Sequence, residues 1–238
     1  MKKLTTLFVI LASAGFMVSP ANADGTSRVT WQPSFAGSCE DCNLFGRQMP
    51  FSDLTEAHYN GANVSHASLH GAQAKGAYFN GIKAKYTDFS RSDVSNAHFI
   101  NANMQNARLS NITANGANFS GAILDNSFMS EAQLVGANLT SLSARNVQAQ
   151  GADFSAATAA TAIFDNADLR GATFNGTILS GATFHESDLA GASFRDARLG
   201  GARLSTAKNT DQVDFTGACR NAETQLPAGI YLPSCEAR

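Results

Sequence analysis

The chain has 238 residues, with 17 Lys and Arg and 19 Asp and Glu, so its formal net charge is −2 at pH 7. So mild a charge argues against a surface that binds the phosphates of nucleic acids and against a strongly acidic mimic of nucleic acid. Beyond the N-terminus, no segment is long and apolar enough to predict a membrane span.

The N-terminus has the features of a secretory signal peptide. Lys2 and Lys3 are followed by an apolar stretch, Leu4 to Val18, and by the small residues Ala21-Asn22-Ala23. A basic start, a short apolar stretch and an Ala-x-Ala site direct a chain to export, with cleavage expected after Ala23. A membrane anchor is the alternative interpretation. We therefore expect a periplasmic or secreted protein whose net charge after cleavage is −4.

A repeat of five residues dominates the rest of the chain. Every fifth residue from Leu44 to Leu204 is hydrophobic, and these 33 central positions hold 12 Leu, 9 Phe, 6 Ala, 3 Met, 2 Val and 1 Tyr. Two residues before the centre, 21 positions are Ala, and two residues after it, 14 are Gly and 7 are Asn. The repeat keeps one phase over this whole range.

A period of five fits neither an α-helix nor a plain strand, but it fits a chain that turns a corner every five residues. The large central residue and the small residue two positions before it both point inward. The corner position needs a positive φ, which Gly and Asn adopt most readily. Four sides close a square coil of about 20 residues, and stacked coils pair at about 4.8 Å, so we expect about eight coils in a rod of about 40 Å.

The repeat resembles that of the pentapeptide-repeat family, in which Ala, then Asp or Asn, then Leu or Phe precede a variable residue and Gly. Ala117-Asn118-Phe119-Ser120-Gly121 and Ala167-Asp168-Leu169-Arg170-Gly171 match it in full. The resemblance implies an all-β fold, a right-handed quadrilateral β-helix. The best-known members of that family protect DNA gyrase, so the resemblance also raises a DNA-mimic topoisomerase inhibitor as one functional alternative.

The sequence divides into a signal peptide (1–23), an N-terminal cap (24–43), the repeat β-helix (44–206) and a C-terminal cap (207–238). Caps are expected because the open edges of a stack of coils otherwise pair with other chains. Within the last part, the repeat returns at Val213–Gly217 one residue out of phase. This predicts an inserted residue near Thr210.

All four cysteines lie near the two ends of the mature chain, and an even number in an exported chain favours disulfides. We predict that Cys219 and Cys235 close the C-terminal cap. Cys39 and Cys42 form a second candidate pair, for which a redox Cys-x-x-Cys motif and half of a zinc site are the alternatives.

Reading the repeat in steps of 20 predicts which side chains stack. Two aromatic stacks and one hydrogen-bonded amide column are expected in this way. They are Phe79, Phe99 and Phe119; Phe154, Phe174 and Phe194; and Asn106, Asn126, Asn146 and Asn166.

The sequence contains no recognisable set of catalytic residues. No three histidines share a small predicted patch with a carboxylate, and no phosphate loop or nucleophile elbow is present. Asp125 and Asp165 share a column, but Arg145 lies between them, which favours a charge-paired ladder over the paired carboxylates of a glycosidase. We expect a protein that is not an enzyme, with no cofactor and no metal site.

One of the four predicted sides is almost uncharged. The side formed by 57–61, 77–81 and so on to 197–201 has a single charged residue, Arg198, whereas the others have seven, eight and seven. Because interface cores are depleted in charge, this side is the candidate docking face. Its residues are His58, Tyr78, His98, Ile100, Asn118, Asn138, Thr158 and Ile178. A smaller apolar cluster (Ile123, Phe128, Val135 and Ile163) is a weaker candidate.

These observations favour a structural or protein-binding scaffold of the bacterial envelope. The expected partner is an unidentified protein, and a second copy of the chain is one option. We expect neither a nucleic acid partner nor a membrane span. A secreted effector or surface protein that engages another cell is the main alternative.

Overall fold

The computed structural model describes residues 37–235. The predicted signal peptide and residues 24–36 of the predicted N-terminal cap therefore lie outside the described residues. Parallel β-bridges join residues 20 apart, starting with Ser38 and His58 and continuing to Asp188 and Lys208. The 20-residue square coil is confirmed, and the fold is a right-handed quadrilateral β-helix. Nine successive bridges run up one side from Ser38 to Cys219, which corresponds to about 43 Å.

Each side of a coil has the same internal structure, as residues 117–121 illustrate. Ala117 and Phe119 are buried, whereas Asn118 points outward. The amides of Phe119 and Gly121 donate to the coil above, at 2.7 and 2.9 Å, and the amide of Asn118 donates to the coil below at 2.9 Å. Because each side bridges its neighbours at a single residue, the described chain has bridges rather than long strands.

The corners require a left-handed backbone. Every corner position from Gly46 to Gly201 has a positive φ, including residues other than Gly, such as Tyr86 at 58° and Asn106 at 60°. A side chain costs roughly 1–2 kcal/mol in this conformation, which explains the excess of Gly and Asn. The prediction of a hydrogen-bonded Asn column is wrong. Asn106, Asn126, Asn146 and Asn166 lie in register at one corner, but no side-chain hydrogen bond links any two of them.

The core is one continuous cluster of buried side chains inside the coil. Its predicted aromatic stacks are confirmed: ring centroids are 4.9 and 4.8 Å apart along the first and 4.8 Å apart at both steps of the second. Five of the six buried polar residues at the small inward position bond to a backbone carbonyl, and Ser127 is the exception. The buried Thr87 Oγ1, for example, donates to the Val64 carbonyl at 2.8 Å.

The repeat loses its 20-residue spacing near its C-terminal end, as predicted. A 3₁₀ helix, Thr210–Gln212, inserts one residue, and Ser193 then pairs with Asp214, 21 residues ahead. Phe215 nevertheless stacks on Phe194 at 5.4 Å, so the core continues past the insertion. A second extra residue makes the last spacing 22, between Arg203 and Gln225, and this one was not predicted.

Disulfide bonds close both ends of the described chain. Cys219 bonds to Cys235, with Cα atoms 4.9 Å apart, and the tail lies along Arg220, whose amide donates to the Pro233 carbonyl at 2.9 Å. Cys39 bonds to Cys42, with Cα atoms 5.3 Å apart. Residues 38–43, which the sequence assigned to the cap, already belong to the first coil.

Candidate interaction surfaces

The fold brings the residues of the predicted docking face into one straight column. Bridges connect His58, Tyr78, His98, Asn118, Asn138, Thr158 and Ile178 in that order. Ile100 lies in the adjacent column, where its amide donates to Asn80 Oδ1 at 3.1 Å. We call the side built from 57–61 to 197–201 the low-charge face. Its only charged residue, Arg198, lies at the C-terminal end.

Stacked rings occupy the N-terminal third of the low-charge face. The rings of His58 and Tyr78 are 4.5 Å apart, and those of Tyr78 and His98 are 4.8 Å apart. The two histidines that the sequence placed on either side of Tyr78 are thus in direct contact with it. The result is a continuous aromatic strip across three coils.

Several Asn side chains of the low-charge face are hydrogen-bonded to backbone amides within the face itself. Asn60 Oδ1 accepts the Asn80 amide at 3.0 Å. Asn118 Oδ1 accepts the amide of Ser120, and Asn138 Oδ1 accepts that of Thr140, at 3.0 and 3.1 Å. A partner that covers this face would therefore leave fewer polar groups without hydrogen bonds, which lowers the cost of desolvation.

The other sides hold the charges, many of them paired. Arg170 contacts Asp168 at 2.7 Å, Arg195 contacts Asp214 at 3.0 Å, and Lys208 contacts Glu186 at 2.9 Å. The hydrogen bond from Arg170 holds the pKa of Asp168 below its usual value of 3.8.

The interpretation of Asp125, Arg145 and Asp165 as a ladder of ion pairs is wrong. Asp125 Oδ1 accepts the backbone amide of Arg145 at 2.9 Å, whereas the guanidinium donates to Ser143 Oγ at 2.6 Å. Asp165 Oδ1 likewise accepts the backbone amide of His185 at 3.0 Å. Both carboxylates therefore serve as acceptors for the coil above.

The fold also does not bring together the smaller apolar cluster of Ile123, Phe128, Val135 and Ile163. Ile123 and Ile163 share a column, but Ser143 separates them, and Phe128 and Val135 lie on the two following sides.

Among residues 37–235, no three His, Cys, Asp or Glu side chains are placed to share a metal ion. That part of the chain also has no helix long and apolar enough to cross a membrane.

A second surface, which the sequence analysis missed, lies on the side that contains Asp88 and Arg108. Exposed rings frame it near the N-terminal end: His66 stacks on Tyr86 at 4.9 Å and contacts Phe45 at 5.1 Å. A groove of about 450 Å³ opens beside them, which we call the aromatic groove. Its lining residues are His66, Ala67, Ser68, Tyr86, Asp88, Asn106, Arg108 and Phe128. The signal in the sequence was His66 and Tyr86 at corner positions, where Gly and Asn predominate.

The family model for pentapeptide repeats matches the chain in eight copies that extend from residue 51 to residue 205. The chain belongs to the pentapeptide-repeat family. No curated protein matches it with significant similarity.

Solved structures similar to it include two whose alignments cover most of both chains. One is HetL, involved in regulation of heterocyst differentiation in the cyanobacterium Nostoc sp. strain PCC 7120, which is 25% identical with a TM-score of 0.64. That alignment covers 81% of this chain and 88% of HetL. The other is a trypsin-treated form of QnrB1, a plasmid-mediated fluoroquinolone resistance protein, at 21% identity and a TM-score of 0.56. It covers 78% of this chain and 92% of QnrB1, and at that identity it supports the fold alone.

Proposed function

We propose that this pentapeptide-repeat protein is an exported, non-enzymatic scaffold that binds a protein partner through the low-charge face. The observation that carries the proposal is the unbroken column from His58 to Ile178, which has no charged side chain over seven coils. Each of the other three sides carries at least seven charges along the repeat. A side that excludes charge over this length has the composition of an interface core.

The shape of the face supports a protein as the partner. The six coil spacings from His58 to Ile178 extend about 29 Å, which is long enough to contact a small domain. The stacked rings of His58, Tyr78 and His98 supply the aromatic surface in which protein interfaces are enriched. A nucleic acid would instead require a row of cations, and Arg198 is the only cation on this face.

Charge placed in the middle of the face tests the proposal. The double variant Asn118→Lys, Asn138→Lys should weaken association at least tenfold, because two buried cations would lack partners. Asn118→Ala, Asn138→Ala is the matched control, since it loses the same hydrogen bonds to Ser120 and Thr140 without adding charge. Self-association is measured by sedimentation velocity, and binding of other proteins by quantitative pull-down from periplasmic extract.

The two variants separate the outcomes. The proposal holds if the lysine variant loses association while the alanine variant keeps it and both fold normally. If the lysine variant sediments and captures partners as the unchanged protein does, the low-charge face is not a docking face.

Export is the second part of the proposal, and its support is the basic and apolar N-terminus with its Ala-x-Ala site. Fractionation of the producing cell tests it: an envelope scaffold is recovered from the periplasm without residues 1–23. Recovery from the culture medium would favour the secreted effector instead. A cytoplasmic protein of full length would contradict export.

A further inference from the structure

We propose that the aromatic groove binds an acidic sugar, a pyranose that carries a carboxylate, within a glycan chain. This site lies on a different side of the β-helix from the low-charge face, and its ligand belongs to a different chemical class. The inference is therefore independent of the proposed protein-binding function.

The groove has the size of a sugar site. Its first part measures about 450 Å³ and continues into a second part of about 410 Å³, lined by Asp88, Ser90, Arg108, Ser110 and Phe128. The two parts share Asp88, Arg108 and Phe128, so they form one continuous depression across three coils. Binding sites for small molecules typically measure about 300–1,000 Å³.

Two exposed rings line this depression. Tyr86, at a corner of the coil, is 54% exposed, and Phe128 is 39% exposed. The face of an aromatic ring is negative, and the C–H groups of a pyranose are weakly positive, so sugar rings pack against such faces. Tyr86 is held in place by the stack with His66, which lowers the entropic cost of binding.

The polar floor of the groove selects an acidic sugar. Arg108 is exposed, and its guanidinium makes no ion pair or side-chain hydrogen bond with any of the residues 37–235. Asp88, one coil below, uses Oδ1 to accept the amide and hydroxyl of Ser90. Arg108 therefore presents a fork of donors that fits a carboxylate, and Asp88 Oδ2 is left to accept a sugar hydroxyl.

Calorimetric titration with a galacturonic acid trisaccharide tests the site, with a galactose trisaccharide as the neutral probe and free galacturonate as the single-residue probe. The protein should bind the acidic trisaccharide at least tenfold more tightly than the neutral one. Stronger binding of the trisaccharide than of free galacturonate indicates that a glycan chain, rather than a single sugar, is the ligand. Rising salt should weaken binding.

Substitutions of Arg108, Tyr86 and Phe128 test the groove residues. To preserve the fold, Tyr86 and Phe128 are replaced by residues that the chain itself has at the equivalent position of the next coil. Arg108→Gln should lower affinity about tenfold through loss of a charged hydrogen bond. Tyr86→Asn and Phe128→Gln introduce the residues that follow in the same columns, Asn106 and Gln148, and each should lower affinity several-fold. Arg203→Gln, on a neighbouring side, is the control and should change nothing.

Three results would overturn the proposal. They are absence of binding to the acidic trisaccharide, equal affinity for the neutral one, and unchanged affinity in Arg108→Gln together with Tyr86→Asn. Preferential binding of a single-stranded oligonucleotide or of an acidic peptide would likewise reject a sugar as the ligand.

Discussion

The rings of Phe99 and Phe119 lie parallel in the core, with their centroids 4.8 Å apart and both side chains no more than 1% exposed. Phe119→Ala should lower the free energy of unfolding by about 3–5 kcal/mol, because it removes a buried ring and leaves a cavity. Phe119→Leu should cost about 1 kcal/mol, since Leu139 fills the same position one coil above.

Phe128→Ala is the surface control for that prediction and should cost less than about 1 kcal/mol. Chemical denaturation of the three variants measures the differences. Equal losses for Phe119→Ala and Phe128→Ala would mean that the aromatic stack does not stabilise the rod.

At the corner positions, introducing Gly and removing Gly should change the free energy of unfolding in opposite directions. Ala156 has a φ of 56°, so Ala156→Gly should raise the free energy of unfolding by about 0.5 kcal/mol. The reason is that the relief of backbone strain in the folded state exceeds the cost of the added entropy of the unfolded chain. Gly171→Ala should lower it by about 1 kcal/mol. No atom lies within 4 Å of the new Cβ at Gly171, so the cost is purely conformational.

Ala160→Gly is the control for the corner prediction, because Ala160 precedes a corner and does not have a positive φ. It should be destabilising. If Ala156→Gly and Ala160→Gly shift the thermal midpoint in the same direction, corner strain does not explain the composition of the repeat.

The rod itself was predictable from the sequence because a five-residue period leaves few ways to bury one large side chain per side. Core residues such as Phe79 and Phe174 were assigned to stacks by spacing alone. The surface was harder to predict. Whether Arg145 pairs with Asp125 depends on rotamers, and the backbone amide accounts for that carboxylate instead.

The aromatic groove was missed for a related reason. Tyr86 and Phe128 occupy different positions in their repeats, so no single column contains both. Only the three-dimensional arrangement of two neighbouring columns shows that they line one depression. The second inserted residue, before Gln225, was hidden because the tail has no further repeat to reveal its phase.

The two disulfides should contribute unequally to stability. Cys219→Ser with Cys235→Ser opens a loop with a sequence separation of 16 and should cost about 3 kcal/mol. Cys39→Ser with Cys42→Ser opens a separation of 3 and should cost about 2 kcal/mol or less. Thermal unfolding in oxidising buffer measures both, and an unchanged midpoint without Cys219 and Cys235 would show that the C-terminal bond is dispensable.

Acid should destabilise the rod through its hydrogen-bonded carboxylates. The bond from Arg170 lowers the pKa of Asp168, and bonds from Thr55 lower that of Asp53. Because a carboxyl with a lowered folded-state pKa stabilises the fold only while ionised, this contribution is complete above the unfolded pKa, about 4, and is lost as the pH falls below it.

The Asp168→Asn variant should therefore lose less of its free energy of unfolding between about pH 5 and pH 2 than the unchanged protein does. The free energies of the two proteins should differ more at neutral pH than at low pH. Denaturation curves across this range measure the effect. A constant difference between the variant and the unchanged protein at every pH would contradict a role for the Asp168 charge.

Photo-cross-linking from matched positions on the four sides tests most directly whether the low-charge face binds the partner. A cross-linking residue is placed at Thr158, at Ser143, at Gln148 or at Thr113, which are outward positions of the four different sides. If the partner docks on the low-charge face, a specific protein adduct forms from Thr158 alone. Adducts of equal yield from all four positions, or a specific adduct from another side with none from Thr158, would contradict it.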